Sequence, residues 1–341
     1  MPAYRRILLI RTDRLGDLVL STPAIASFRR SWPDARIEAL VSDYNEPVLR
    51  FNRDIDALHV LPRSASRAQA QTVARTLGED VDLAVALAPR TADYRLARWS
   101  RAPRRIGYVY RRRYLSRLAA RVMLTEHGIS EADPDLADRY PDRPVAHEVH
   151  QVLALVRLAG GETLTDSLVF DVGEEAAAFG RSEVPSGAIG VNLAPRWFAP
   201  DFGPRATATL IERLAAQQKD VLVTYGGDVR EAAIQLRESV DASNVRWIGE
   251  AQVLDWAAAL GRCGALITVD CGAVHVAAAQ GVPVVGVYER QYYRLSSQEW
   301  SPWRVPSVVL CKPPDGASAL PLIEDVLSGV RALLRQPAPA V

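Results

Sequence analysis

Two short stretches hold residue types whose spacing could do chemistry. The first is Arg11-Thr12-Asp13-Arg14-Leu15-Gly16-Asp17, directly ahead of the apolar run Leu18-Val19-Leu20-Ser21-Thr22-Pro23-Ala24-Ile25. A glycine just before a helix lets the backbone approach a ligand, and the free N–H groups of the first helical turn attract an anion or a polarised hydroxyl. A carboxylate there can take a proton from an attacking alcohol, which makes Asp17 a candidate general base. Its position equally suits a helix cap, as that of Asp13 suits a turn. The second stretch is Asp270-Cys271-Gly272-Ala273-Val274-His275. Asp270 ends an apolar run, and Cys271 and Gly272 open a small-residue helix whose amino end can hold a diphosphate. Asp270 could instead cap that helix. His275, one turn in, is open to a structural or a ligand-binding role.

These residues need elements to hold them, and the chain supplies short β-type runs alternating with helix-length amphipathic segments, the pattern of parallel sheets covered by helices. Strands are expected at 7–10, 36–41, 55–60, 81–87 and 105–109, then again at 189–193, 221–225, 245–248, 265–269 and 282–287. Helices are expected at 18–30, 46–52, 68–78 and 92–100, then at 206–217, 230–240, 253–260 and 274–280. The series restarts after a weakly patterned stretch, so the expectation is an α/β chain of two Rossmann-like domains facing each other across a cleft. The first spans 1–170, a linker 171–187, the second domain 188–320, and a last helix at 321–335 crosses back. The Pro/Ala-rich tail after Arg335 reads as frayed. Ligands of such sheets bind beyond the carboxyl ends of the strands, where both stretches fall. No GxxxxGK[ST] occurs, and Gly261-Arg262-Cys263-Gly264 precedes a strand, so neither a P-loop nor a dinucleotide fingerprint is present.

The segment from Ile10 to Ile25 resembles the opening of glycosyltransferase family 9, the ADP-heptose:lipopolysaccharide heptosyltransferases: a strand, a loop ending Leu-Gly-Asp, and an apolar helix containing Thr-Pro-Ala. Cys263 to Val287 resembles the family's second signature, a strand, Asp-Thr-Gly, a histidine three residues on, a small-residue helix, then proline and a strand. Tyr225-Gly226-Gly227-Asp228 resembles its Gly-Gly turn, and the helix after His147-Glu148-Val149-His150 the one before its linker. The resemblance implies a GT-B fold, a nucleotide-sugar donor (ADP-heptose) on the C-terminal half, and an anionic glycan or glycolipid acceptor, such as lipopolysaccharide inner core, on the N-terminal half. It implies transfer with inversion, Asp17 as catalytic base, domain closure that excludes water, and no metal or other cofactor. Asp13 falls on the acceptor side; Gly226, Gly227, Asp270, Cys271, Gly272 and His275 fall on the donor side. Two donor loops depart from the pattern. Ala194 to Pro204 lacks the usual lysine, leaving Arg196 as the cation for the diphosphate, and Tyr288-Glu289-Arg290-Gln291 replaces Gly-Pro-Thr-Asp. Cys271 stands where threonine is common.

Composition narrows the rest. Of 341 residues 48% are hydrophobic and 24% charged, enough to bury a core, and the net charge of +1 selects no polyanionic partner globally. Three cysteines, Cys263, Cys271 and Cys311, form no CxxC and fit a reducing cytoplasm. His147 and His150 make HEVH rather than HExxH, so structure is favoured there over a metal. No apolar run approaches the roughly 18 residues of a membrane span, and the first is too short for a signal peptide. Charge is polarised, however. Residues 98–121 carry nine arginines and no acid, leaving the remainder at −8. Tyr108, Tyr110 and Tyr114 interleave them, but no nucleic-acid module accompanies them. Since the resemblance puts the acceptor on the N-terminal half, some of Arg105, Arg111, Arg112 and Arg113 are expected to bind acidic sugars or phosphates and to hold the protein at the inner face of the cytoplasmic membrane, against the plain alternative of a solvated basic face. Two other functions remain open: a nucleotide-sugar epimerase or hydrolase of the same architecture, and a catalytically silent sugar-nucleotide-binding protein.

Overall fold

The computed structural model describes residues 2–130, 132, 144–217 and 220–335. The chain divides into two units, Met1–Asp171 and Val172–Val341. The first holds β1 (Arg6–Arg11), β2 (Arg36–Ser42), β3 (Ala57–Leu61), β4 (Leu83–Ala86), β5 (Arg104–Tyr110) and β6 (Glu126–Ser130), all parallel, in the order β3-β2-β1-β4-β5-β6. The second holds β7 (Ala188–Leu193), β8 (Val221–Tyr225), β9 (Val245–Gly249), β10 (Cys263–Val269), β11 (Val284–Tyr288) and β12 (Ser307–Cys311), also parallel, in the order β12-β11-β10-β7-β8-β9. Read from β9, this is the topology of the first sheet. Both are doubly wound Rossmann sheets, and strand order reverses between β1 and β4 in one and between β7 and β10 in the other. The expected α/β fold of two Rossmann-like domains is the one observed.

The central strands are apolar on both faces because helices cover both; β1, β4 and β7 are buried almost throughout. The edge strands β6 and β12, absent from the expected set, are short and half-exposed, so their sequences lack that signal. The helix expected at 18–30 is two helices, Leu15–Val19 and Thr22–Ser31. Pro23 has no N–H to give the carbonyl of Val19, and the Thr22 hydroxyl donates to it instead at 2.7 Å.

One expectation about the second unit needs correction. The stretch 171–187 is not a bare linker: Gly173–Glu183 is a helix, with Glu174 and Glu175 in its first turn. Its glycine marks a close helix contact, since a Cβ on Gly180 would come within 2.8 Å of the Ala258 carbonyl. The last helix is Leu320–Leu334. Leu322, Ile323, Val326, Leu327, Val330 and Leu333 are buried in the core of the second unit with β7, β8, β10 and β11 residues. The tail expected to fray after Arg335 lies outside the described residues.

Candidate functional site

In the first unit the site grows from the end of β1. Arg11 is the last residue of a buried strand, and its guanidinium, 2% exposed, has to find partners there. It donates to Asp13 at 3.0 Å, to the Ser21 hydroxyl at 2.9 Å, to the Leu87 carbonyl beyond β4 at 3.0 Å and to Glu148 at 3.0 Å. Asp17 lies 3.8 Å from the same guanidinium. Asp17 is not the cap of its helix: that place belongs to Arg14, and Asp17 sits in the first turn, turned toward Arg11. Burial raises the Asp17 pKa to about 7, opposed by Arg11 and reinforced by Asp13 and Glu148. A carboxyl tuned to neutrality is a competent proton acceptor for an alcohol. Burial works against the charge of Arg11, but Asp13, Glu148 and Asp17 hold it firmly protonated.

Glu148 and Asp93 complete the cluster. Glu148, 1% exposed, also accepts from the Tyr108 hydroxyl at 2.7 Å, and burial raises its pKa. Asp93 follows β4, accepts from the Thr12 hydroxyl at 2.7 Å and its N–H at 3.2 Å, and is raised by burial to about 6. Neither was singled out by sequence, nor was Arg11. The available signal was a charged residue closing an otherwise apolar strand. His147 caps the helix Glu148–Ala159, its Nδ1 accepting from the Val149 N–H at 3.2 Å, which agrees with a structural reading of HEVH.

In the second unit the equivalent position lies between the ends of β7 and β10. Arg196 follows β7 on a short 3-10 turn, Pro195–Phe198, whose Trp197 is fully buried and donates to the Asn192 carbonyl at 2.9 Å. That anchor leaves Arg196 43% exposed, with its guanidinium 2.5 Å from the Asp270 carboxylate. The helix Gly272–Ala279 starts at the next residues, with Cys271 at its N-cap. Cys271 is held in a neutral network: Asn192 Nδ2 lies 3.6 Å and the Thr268 hydroxyl 3.3 Å from its Sγ, and Thr224 donates to Asn192 Oδ1 at 3.0 Å. Burial raises the thiol pKa. His275 is buried one turn into the helix. Gly226 and Gly227 follow β8 with backbone at negative φ at Gly226; a Cβ on Gly227 would come within 3.1 Å of Glu250.

Lys312, which sequence analysis passed over, joins the two divergent loops. It directly follows β12, is fully buried, and places its ammonium 2.9 Å from Asp201 and 2.9 Å from Glu289 while donating to the Arg196 carbonyl. The loop that lacks a lysine and the loop that carries Glu289 are thus pinned to one lysine from a third element.

The basic segment divides by position. Arg105 does not stand free for an acceptor: its guanidinium donates to the carbonyls of Met123 at 3.0 Å and Ala102 at 2.5 Å. Arg104 pairs with Glu126 at 2.9 Å. Arg98 and Arg101 line a surface pocket with Arg75 and Trp99. Arg113 stacks over Tyr110 at 4.8 Å, and Arg111 to Arg113 lead into a helix, Tyr114–Met123, that the sequence reading did not expect. Among the described residues no group of three or more His, Cys, Asp or Glu is arranged to hold a metal.

A model of glycosyltransferase family 9 (heptosyltransferase) matches residues 144–318. Lipopolysaccharide heptosyltransferase 3 of Escherichia coli is 36% identical over 53 residues, a stretch that spans only 16% of this chain and 16% of that protein. The crystal structure of a family 9 glycosyl transferase from Veillonella parvula DSM 2008 superposes with a TM-score of 0.80 at 21% identity, covering 97% of each chain. The ADP-heptose lps heptosyltransferase II of E. coli superposes with a TM-score of 0.72 at 20% identity, covering 96% of this chain and 98% of that one. At these identities the solved structures establish the shared fold.

Proposed function

The chain belongs to glycosyltransferase family 9, and from that premise we propose that it transfers a heptose or a related sugar, with inversion, from ADP-heptose to a glycan such as the inner core of lipopolysaccharide. The observation that carries this reading is Asp17, a carboxyl beyond the end of β1 whose pKa burial raises to about 7. In a single displacement the acceptor oxygen bonds to the anomeric carbon as the bond from that carbon to the diphosphate breaks. The hydroxyl proton passes to Asp17, and the electron pair of the broken bond leaves with ADP. On the second unit Arg196 and the N–H groups at the start of Gly272–Ala279 stabilise the charge gathering on that diphosphate, with no metal ion assigned. Asp270 orients Arg196, and Lys312 holds its loop. Gly226 and Gly227, beside Glu250, belong to the sugar-nucleotide side, where a neighbouring carboxylate suits hydroxyls better than phosphates. Asp13 and Arg111 to Arg113 belong to the acceptor side, and the protein works in the cytoplasm against the inner face of the membrane.

The test is product formation. Incubated with ADP-heptose and a lipopolysaccharide-core acceptor, the protein is expected to release ADP and extend the acceptor together. ADP release that needs no acceptor would replace this reading with a hydrolase; donor binding without release would replace it with a silent binding protein.

A further inference from the structure

The helix Tyr114–Met123 is built the wrong way round for a helix that serves only a core. Ala120 is its one fully buried residue, and Ala119 and Met123 are half-buried against the first unit's core cluster. Its bulky apolar side chains point out instead: Tyr114 is 73% exposed, Leu115 86%, Leu118 60% and Val122 68%. At 100° per residue these four fall on one face about a quarter-turn wide. Arg121 lies along one side of that face, and Arg111, Arg112 and Arg113 stand at its amino end. Water around four large apolar side chains is unfavourable, and a contiguous exposed apolar patch marks an interaction site.

We propose that Tyr114–Met123 is the membrane-contacting element of this protein, seating Tyr114, Leu115, Leu118 and Val122 at the headgroup boundary of an anionic lipid surface while the flanking arginines meet lipid phosphates. The charge decides the occupant. An apolar face bordered by cations and no acid along 98–121 complements an anionic bilayer and repels a second copy of itself. At 10 residues Tyr114–Met123 is too short to cross a membrane, so this contact is a surface one. The inference rests on the membrane contact in the proposed function and gives it a residue-level surface, but not on the donor or the base.

The experiment is co-sedimentation of the full chain with vesicles of phosphatidylcholine, with and without phosphatidylglycerol, alongside ADP titration calorimetry. The wild type is expected to bind the anionic vesicles. Replacing Leu115→Ser, Leu118→Ser and Val122→Ser together should lower that binding by about tenfold or more, since each apolar group removed from the boundary weakens partition. The three positions are exposed, so thermal melting and ADP affinity should hold, which separates lost docking from lost folding. Arg113→Gln with Arg121→Gln should weaken binding at low salt, and the difference from wild type should shrink as salt rises. A wild type that ignores anionic vesicles, or a triple variant that binds them as well as wild type, overturns the proposal. So does a wild-type dimer that the triple variant dissolves with vesicle binding unchanged. A protein that binds vesicles but not ADP overturns the donor reading and supports this one; one that binds ADP but not vesicles does the reverse.

Discussion

The two units share one sheet topology, and each places its candidate residues where strand order reverses, yet they fill that position with opposite electrostatics. The first buries its charge: Arg11 sits among Asp13, Asp17 and Glu148, with carboxyl pKa values lifted by burial at Asp17 and Glu148. The second lines the position with neutral, hydrogen-bonded Asn192, Thr268 and Cys271, keeps Arg196 at the surface, and sends its buried cation, Lys312, behind the loop. The difference follows from the tasks proposed for them. A carboxylate base is raised toward neutrality by exclusion of water and by neighbouring carboxylates, and both act on Asp17. A cradle for a leaving diphosphate needs an accessible cation and free N–H groups, which burial would spoil.

The comparison breaks most sharply at the buried cations. Arg11→Met should leave three carboxylates around an apolar side chain and cost about 3–5 kcal/mol of stability, measured by urea unfolding at pH 8. The loss should shrink at acid pH as Asp17 and Glu148, whose pKa values burial raises, protonate. Lys312→Met should cost a similar amount at pH 8 and, unlike Arg11→Met, also weaken ADP binding because the Arg196 loop is released. Asp17→Asn is expected to keep ADP affinity and lower turnover by at least roughly a hundredfold, about 2.7 kcal/mol. Earlier melting with a fully active folded fraction would reduce Asp17 to a structural residue.

Acidity sharpens the contrast further. Asp17 rises from an ordinary value of 3.8 to about 7 and Asp93 to about 6, so between these limits the folded chain keeps protons that the unfolded chain has lost. Their contribution to stability is therefore full below about pH 4 and is lost as pH rises through about 7, while turnover rises over the same range as Asp17 becomes able to accept a proton. Asp17→Asn should flatten both trends, read by melting curves and rate profiles in parallel. The smallest effect belongs to the exposed cation: Arg196→Ala should weaken ADP roughly tenfold and adenosine hardly at all, by calorimetry. Equal losses for both would remove Arg196 from the diphosphate.

Much of this architecture was legible because the central strands are apolar on both faces and their helices amphipathic; strand 221–225 and helix 253–260 agree with their expected bounds. Edge strands β6 and β12 carry no such pattern. The helix Tyr114–Met123 was hidden because its large apolar residues face solvent, so its periodicity points away from the core and its arginines dominate. At the site, Asp17 and Asp270 were candidates from local spacing, and Arg196 from the resemblance alone. Their partners were not: Arg11 meets Glu148, and Lys312 meets Asp201 and Glu289, across long sequence separations that only the sheet topology closes. Arg105 shows the converse, a residue whose composition suggested a ligand and whose guanidinium closes the end of a helix.

Pro23 sits at the break between two helical segments. Because it cannot donate to Val19, the turn Leu15–Val19 and the helix Thr22–Ser31 are coupled in part through side chains, with Ser21 donating to the Asp17 carbonyl and Thr22 to that of Val19. An uninterrupted backbone ladder would have merged the two into one rod and fixed the azimuth of Asp17 by the helix's own screw. The break frees that angle to be set by Ser21, whose hydroxyl also takes a hydrogen bond from Arg11. The aim of the candidate base is thus steered by an imino acid further along the chain.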